Sequence, residues 1–265
     1  GKDDKAVPTI YVDKYYDDIK KGKSTIQHIT KNVIEIYKKH NDSLDINIED
    51  IYDYKKVVNR ISFKLINAER NKERLKNISY IIKSNLALVF QIELIVDEES
   101  VGSALVNNDL LSHWNISIEQ LYKDVQDRIC NIEPPVLKNM CDIMSDILLG
   151  VESNISTDME LGADDSSSHS MYVLTNKRTV NGSAVILYPN IEKDIKRITG
   201  VSNFYVLPSS IHELILIPYS EEIDNNQLRN MIREVNANEV QQEDFLSDDL
   251  YYYNADSKEF GMVEE

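Results

Sequence analysis

From residue 171 onward, short β-forming runs alternate with helices whose boundaries are marked by capping residues, and that alternation leaves room for little but a mixed fold. MYVLTN (171–176) reads as a strand, Val180-Asn181-Gly182 as a turn and SAVILY (183–188) as a second strand. Asn190 stands where an N-cap belongs, before a helix carrying Ile191, Ile195 and Ile198 that stops at Gly200. NFYVL and IHELILI supply two further strands. Asp224 with Gln227 opens a helix bearing Leu228, Met231, Ile232 and Val235, and a last strand is expected around Leu250 to Tyr253. The pattern predicts an α+β fold, with mainly antiparallel hairpins packed against helices.

The first half reads similarly. Residues 86–96, LALVFQIELIV, form a long apolar β-rich run; DEES turns the chain and VGSALVN returns it. Ser117 with Gln120 makes a capping box for a helix whose buried stripe is Leu121, Tyr122, Val125 and Ile129. Pro134 and Pro135 interrupt, and VLKNMCDIMSDILLG predicts another apolar helix ending at Gly150. Nearer the start, PTIYV (8–12) reads as a strand. Ser24 and Gln27 then cap a helix with Ile26, Ile29, Val33, Ile36 and Tyr37 on one side, and His28 beside that stripe. Gly22-Lys23-Ser24-Thr25 resembles the tail of a phosphate-binding loop, but Asp17 occupies the position where that loop requires glycine. The phosphate-loop reading is rejected.

Residues 151–170, rich in Ser, Asp and Glu, lose all periodicity and read as a linker between an N-terminal part, 1–150, and a C-terminal part, 171–265. Gly102-Ser103-Ala104 and Gly182-Ser183-Ala184 fall at matching points of a strand-turn-strand-helix unit, which predicts two similar subdomains. A different strand order in the two sheets would end that idea.

Charge narrows the function classes. Forty-five acidic residues against 29 basic ones give a net charge of −16, which opposes binding nucleic acid or an anionic membrane through a basic face. The same balance permits an acidic mimic of nucleic acid. No apolar run reaches the roughly 20 residues that span a bilayer, and no signal peptide is visible in GKDDKAVPTIYV. Gly1 in place of methionine reads as a trimmed start. Cys130 and Cys141 lack metal-ligand spacing and are expected as small buried hydrophobes in a reducing cytoplasm. Neither a cofactor nor a metal is expected.

Three groups of residues are candidates for a site. In LPSSIHELILIP (207–218), Ser209 or Ser210 with His212 has the residue types of a nucleophile and its base. Strand alternation would put Ser210 and His212 on one face and turn Glu213 away, leaving the imidazole without an orienting acid. Pro208 and the serines equally suit a hairpin turn. His113 and Trp114 could line a ligand pocket, or fill the edge of a core. Tyr251, Tyr252 and Tyr253 sit among acids and suit a protein-binding surface or an edge strand.

PTIYVDKYYDDIKKG, FKLINAERNKERL, GSALVNNDLLSHWNISIEQLY, MYVLTNKRTVNGSAVILYPNIEKDI, FYVLPSSIHELILIP and LRNMIREVNANEV with FLSDDLYYYN together resemble a domain-of-unknown-function family of clostridia and related Firmicutes. The resemblance implies an intracellular bacterial domain with a further segment before PTIY, and it carries no activity or catalytic residues. The leading expectation is a non-catalytic binding or regulatory module acting on a protein partner, with unknown oligomeric state. The alternatives are a hydrolase using Ser209 or Ser210 with His212, and the nucleic-acid mimic.

Overall fold

The structure, a computed structural model, describes residues 24–31, 48–96, 101–148 and 170–264. Two antiparallel sheets and the helices packed on them give an α+β fold. The first sheet contains β1 (Ile61–Asn67), β2 (Tyr80–Lys83), β3 (Leu86–Val96) and β4 (Val101–Leu105). β3 is its spine: β1 runs along one edge, while β2 and β4 follow one another along the other. The second sheet has six strands, β5 (Pro135–Asn139), β6 (Tyr172–Asn176), β7 (Asn203–Pro208), β8 (Leu214–Pro218), β9 (Tyr251–Asn254) and β10 (Glu259–Met262). Their order is β10-β9-β7-β8-β6-β5.

Five longer helices accompany them: α1 (Asn108–Trp114), α2 (Ile118–Ile132), α3 (Met140–Leu148), α4 (Ile191–Thr199) and α5 (Asn225–Asn238). The N-cap of α2 forms as its sequence predicts, while the Gln120 side chain, expected to close the capping box, donates to Asp124 Oδ1 at 2.7 Å instead. Ser117 Oγ accepts the Gln120 N–H at 3.2 Å, and Leu121, Val125 and Ile129 are fully buried. Their partners come from both sheets. Phe63 of β1 meets the rings of Phe90, Tyr122 and Tyr188 at 6.2, 5.9 and 5.5 Å, and the same cluster takes in Leu174, Phe204 and Val206.

Several expectations are corrected. The helix predicted over 136–150 starts only at Met140. Val136 and Leu137 lie in β5, which pairs residue for residue with β6, and that long-range pairing overrides the local helical spacing. SAVILY is no strand: Gly182–Leu187 is a 3₁₀ helix buried between the sheets, where its short, mostly apolar run has no alternation to favour either conformation. The Gly-Ser-Ala triplets therefore sit in a strand and a 3₁₀ helix, and the sheets differ in strand number and order, so the expected similarity of two subdomains is not found. The division expected at 150–170 falls almost wholly outside the described residues. The strands flanking it, β5 and β6, are hydrogen-bonded neighbours.

Smaller corrections follow the same logic. Residues 26–31 are helical, but the hydroxyl accepting the His28 N–H is that of Thr25, not Ser24, and Ile26 and His28 are exposed. Asn190 begins α4 with left-handed backbone and no side-chain cap, while Gly200 ends it at φ +68° as expected. Met231 and Val235 face solvent rather than the core. Cys141 is exposed and Cys130 half-buried. PTIYV, the DEES turn, Val33, Ile36, Tyr37 and Gly150 lie outside the described residues. Among the described residues, no helix is long and apolar enough to cross a membrane.

Candidate functional site

Residues 209–213 form the connection between β7 and β8, and the strand that was to alternate Ser210, His212 and Glu213 begins only at Leu214. The alternation argument therefore fails. Ser210 Oγ donates to Glu213 Oε1 at 2.9 Å and accepts the backbone N–H of His212 at 2.9 Å. The His212 ring looks elsewhere. Its Nδ1 accepts the Asn181 N–H at 3.2 Å, so Nε2 carries the proton and donates to Asp244 Oδ1 at 3.0 Å. An orienting acid is thus present, Asp244 rather than Glu213, but the nitrogen that would take a serine proton is bonded to backbone.

The backbone of this turn is fastened equally firmly. Thr175 Oγ1 donates to the His212 carbonyl at 2.8 Å, Ser183 Oγ to the Ile211 carbonyl at 2.8 Å, and the Ile211 N–H to the Asp244 carbonyl at 2.8 Å. Gly182 lets the turn come this close. A Cβ there would meet Thr175 Oγ1 and lie 2.5 Å from the His212 carbonyl oxygen and 2.8 Å from the Asn176 nitrogen. LPSSIHE is therefore a clasp joining β6, the 3₁₀ helix and the loop at Asp244.

Trp114 is a core residue. Its indole N–H donates to the Ile51 carbonyl at 3.0 Å and its ring packs on Tyr54 at 5.3 Å. His113 is exposed, edge-on to Tyr52 at 4.9 Å. The three consecutive tyrosines divide by strand alternation. Tyr251 and Tyr253 point into the shared core, where burial pushes the Tyr253 phenol up to about 12, and only Tyr252 faces the other side of the sheet.

A buried polar group escapes sequence reasoning altogether. Glu93 on β3 and Glu133 just beyond α2 flank Arg178, which is 2.7 Å from Glu93 Oε1 and 3.9 Å from Glu133 Oε1. Tyr188 donates its hydroxyl to Glu133 Oε2 at 3.1 Å, and Asn176 Nδ2 to the same oxygen at 3.4 Å. Burial raises the Glu133 carboxyl above its ordinary value, against the pull of Arg178 and the Tyr188 hydroxyl, and also raises Tyr188 strongly. The members come from four places in the chain, so no local spacing announces them.

The face of the second sheet turned towards α5 carries the remaining candidate. Tyr205, Leu207, Ile217 and Leu250 pack there against Leu228 and Ile232 of α5. α5 begins at Asn225, with Asp224 Oδ1 accepting the Asn226 N–H at 2.8 Å. At that end three tyrosines gather. Tyr252 is the cross-strand neighbour of Tyr205 and donates its hydroxyl to Asn203 Oδ1 at 2.7 Å; Tyr219 lies 5.2 Å from Tyr205 and 6.2 Å, perpendicular, from Tyr252. A wide-mouthed hollow of about 560 Å³ opens here, walled by Tyr205, Tyr219 and Ile223 and edged by Glu221, Asp224, Asn225, Arg229 and Glu264. Arg229 donates to the carbonyls of Val263 and Glu264, each at 3.1 Å, and so ties the C-terminal stretch across α5. Of the residues singled out in the sequence, the helix cap Asp224 edges this hollow, and Tyr252 reaches it through its contact with Tyr219.

A family model described as a family of unknown function, DUF5688, matches residues 1–255. No curated protein and no solved structure matches the chain.

Proposed function

The chain belongs to DUF5688, a family of unknown function, and we propose that it is a non-catalytic binding module acting through protein–protein contacts. The observation that carries this reading is the tyrosine-walled hollow at the start of α5, an aromatic surface left open beside a helix that covers the rest of its sheet face. Tyrosine is favoured at such surfaces because it combines a large apolar ring with a polar tip at little cost in side-chain freedom. Further support comes from Ser210 and His212: the hydroxyl donates to Glu213 and the imidazole bonds Asn181 and Asp244, so both side chains hold a turn in place and the two do not bond one another. The proposal places the module in a bacterial cytoplasm, on the family resemblance and on its two free cysteines.

Affinity capture with the intact protein from cells that carry its gene tests the reading. One partner should be recovered reproducibly and in stoichiometric amount. No reproducible partner, or turnover of ester or amide substrates that is lost in Ser210→Ala, contradicts it.

A further inference from the structure

We propose that the hollow at the start of α5 receives a cationic side chain, the ammonium of a lysine or the guanidinium of an arginine, presented by a basic segment of the partner. This inference rests on the binding-module reading above and names the chemistry of what is bound.

Two features converge on that class. First, the edge carries three carboxylates, Glu221, Asp224 and Glu264, against one guanidinium, and Arg229 is already engaged by two backbone carbonyls. Second, Tyr219 is 45% exposed and presents a ring to the hollow, a surface whose negative π-face attracts a cation while its edges pack on methylenes. An anion would have the helix N-terminus in its favour, but Asp224 caps that end and Glu221 and Glu264 add like charge. The long apolar stem of lysine or arginine also matches the aromatic wall, as a compact metal ion does not.

Titrations of the intact protein with trilysine amide, triarginine amide and free spermidine, followed by calorimetry and amide chemical shifts, test the assignment. Both peptides should bind, with shifts gathered at residues 219–229 and 264. Tyr219→Ala should weaken them by about tenfold, whereas Tyr219→Phe, which keeps the ring, should not. The paired change Glu221→Gln with Glu264→Gln should weaken binding similarly. Glu69→Gln with Glu73→Gln, equal in charge but in the turn and short helix after β1, should cost less than about twofold. Equal losses from the two acid pairs, full binding by Tyr219→Ala, or spermidine binding more tightly than either peptide would overturn the inference. Failure here leaves partner capture intact. Failure to capture a partner while the peptides bind this hollow contradicts the module reading instead.

Discussion

Ser210 and His212 show how little a pair of reactive residue types says until their neighbours are known. Both are committed to holding the β7–β8 turn, so Ser210→Ala should lower stability by about 1–3 kcal/mol in denaturant unfolding, because two partners lose a buried hydrogen bond. Gly182→Ala should cost about 1–3 kcal/mol as well, since its Cβ would press on the backbone of His212 and Asn176. That LPSSIHE connects two strands was legible in the sequence, but the turn lies one residue later than expected, because Pro208 is the last residue of β7 and pairs with Leu214. Asp244 as the partner of His212 was not legible, because 32 residues separate them and no local period relates the two.

Glu133 offers a test with a defined sign. Its carboxyl titrates above the ordinary value of 4.5 in the folded protein, chiefly through burial. A group raised in this way contributes stability that is fully present below its unfolded value and is lost as pH rises through the folded one. Glu133→Gln, which cannot ionise, should therefore gain stability relative to the parent as pH increases from about 4.5 toward neutrality. Parallel stability curves for the two proteins across that range would contradict the assignment.

Among the elements, those with both a cap and a long apolar stripe were readable, and α2 is the clearest. Ser117→Ala should cost about 1 kcal/mol, measurable by thermal unfolding, because the Gln120 N–H then loses its protein acceptor. The strands β3, β6, β7 and β8 were equally plain from β-branched runs bounded by turn residues. β5 and the 3₁₀ helix at 182–187 were not. VLKN continues smoothly into the helical spacing of α3, and only pairing with β6 makes it extended. In GSAVIL even the polar residue, Ser183, is buried with Gly182, Ala184, Val185 and Ile186, so no solvent-facing positions reveal a period of two or of three. β10 was missed for the opposite reason: EFGM is short, half exposed and contains a glycine, and it is held by pairing with β9.

For the molecule as a whole, one apolar cluster joins the two sheets through Phe63, Phe90, Tyr188, Leu174 and Phe204. Phe63→Ala should cost about 3–5 kcal/mol. Hydrogen exchange should then accelerate in β7 as well as β3, although Phe63 lies in the first sheet. Acceleration confined to β3 would mean that the sheets open separately. The acidic balance of the chain was legible from composition. The place where it acts with aromatic rings was not, since Tyr205, Tyr219 and Tyr252 meet only through the register of β7 with β9 and the path of the chain beyond β8.

The central claim is that the hollow beside α5 is where this protein meets its partner. A photo-crosslinking residue placed at Glu221, in cells that carry the gene, addresses it directly. The account predicts one discrete adduct from position 221 and none from the same residue at Glu69, another exposed acid, in the turn after β1. No adduct at 221, or the same set of adducts from both positions, would contradict it.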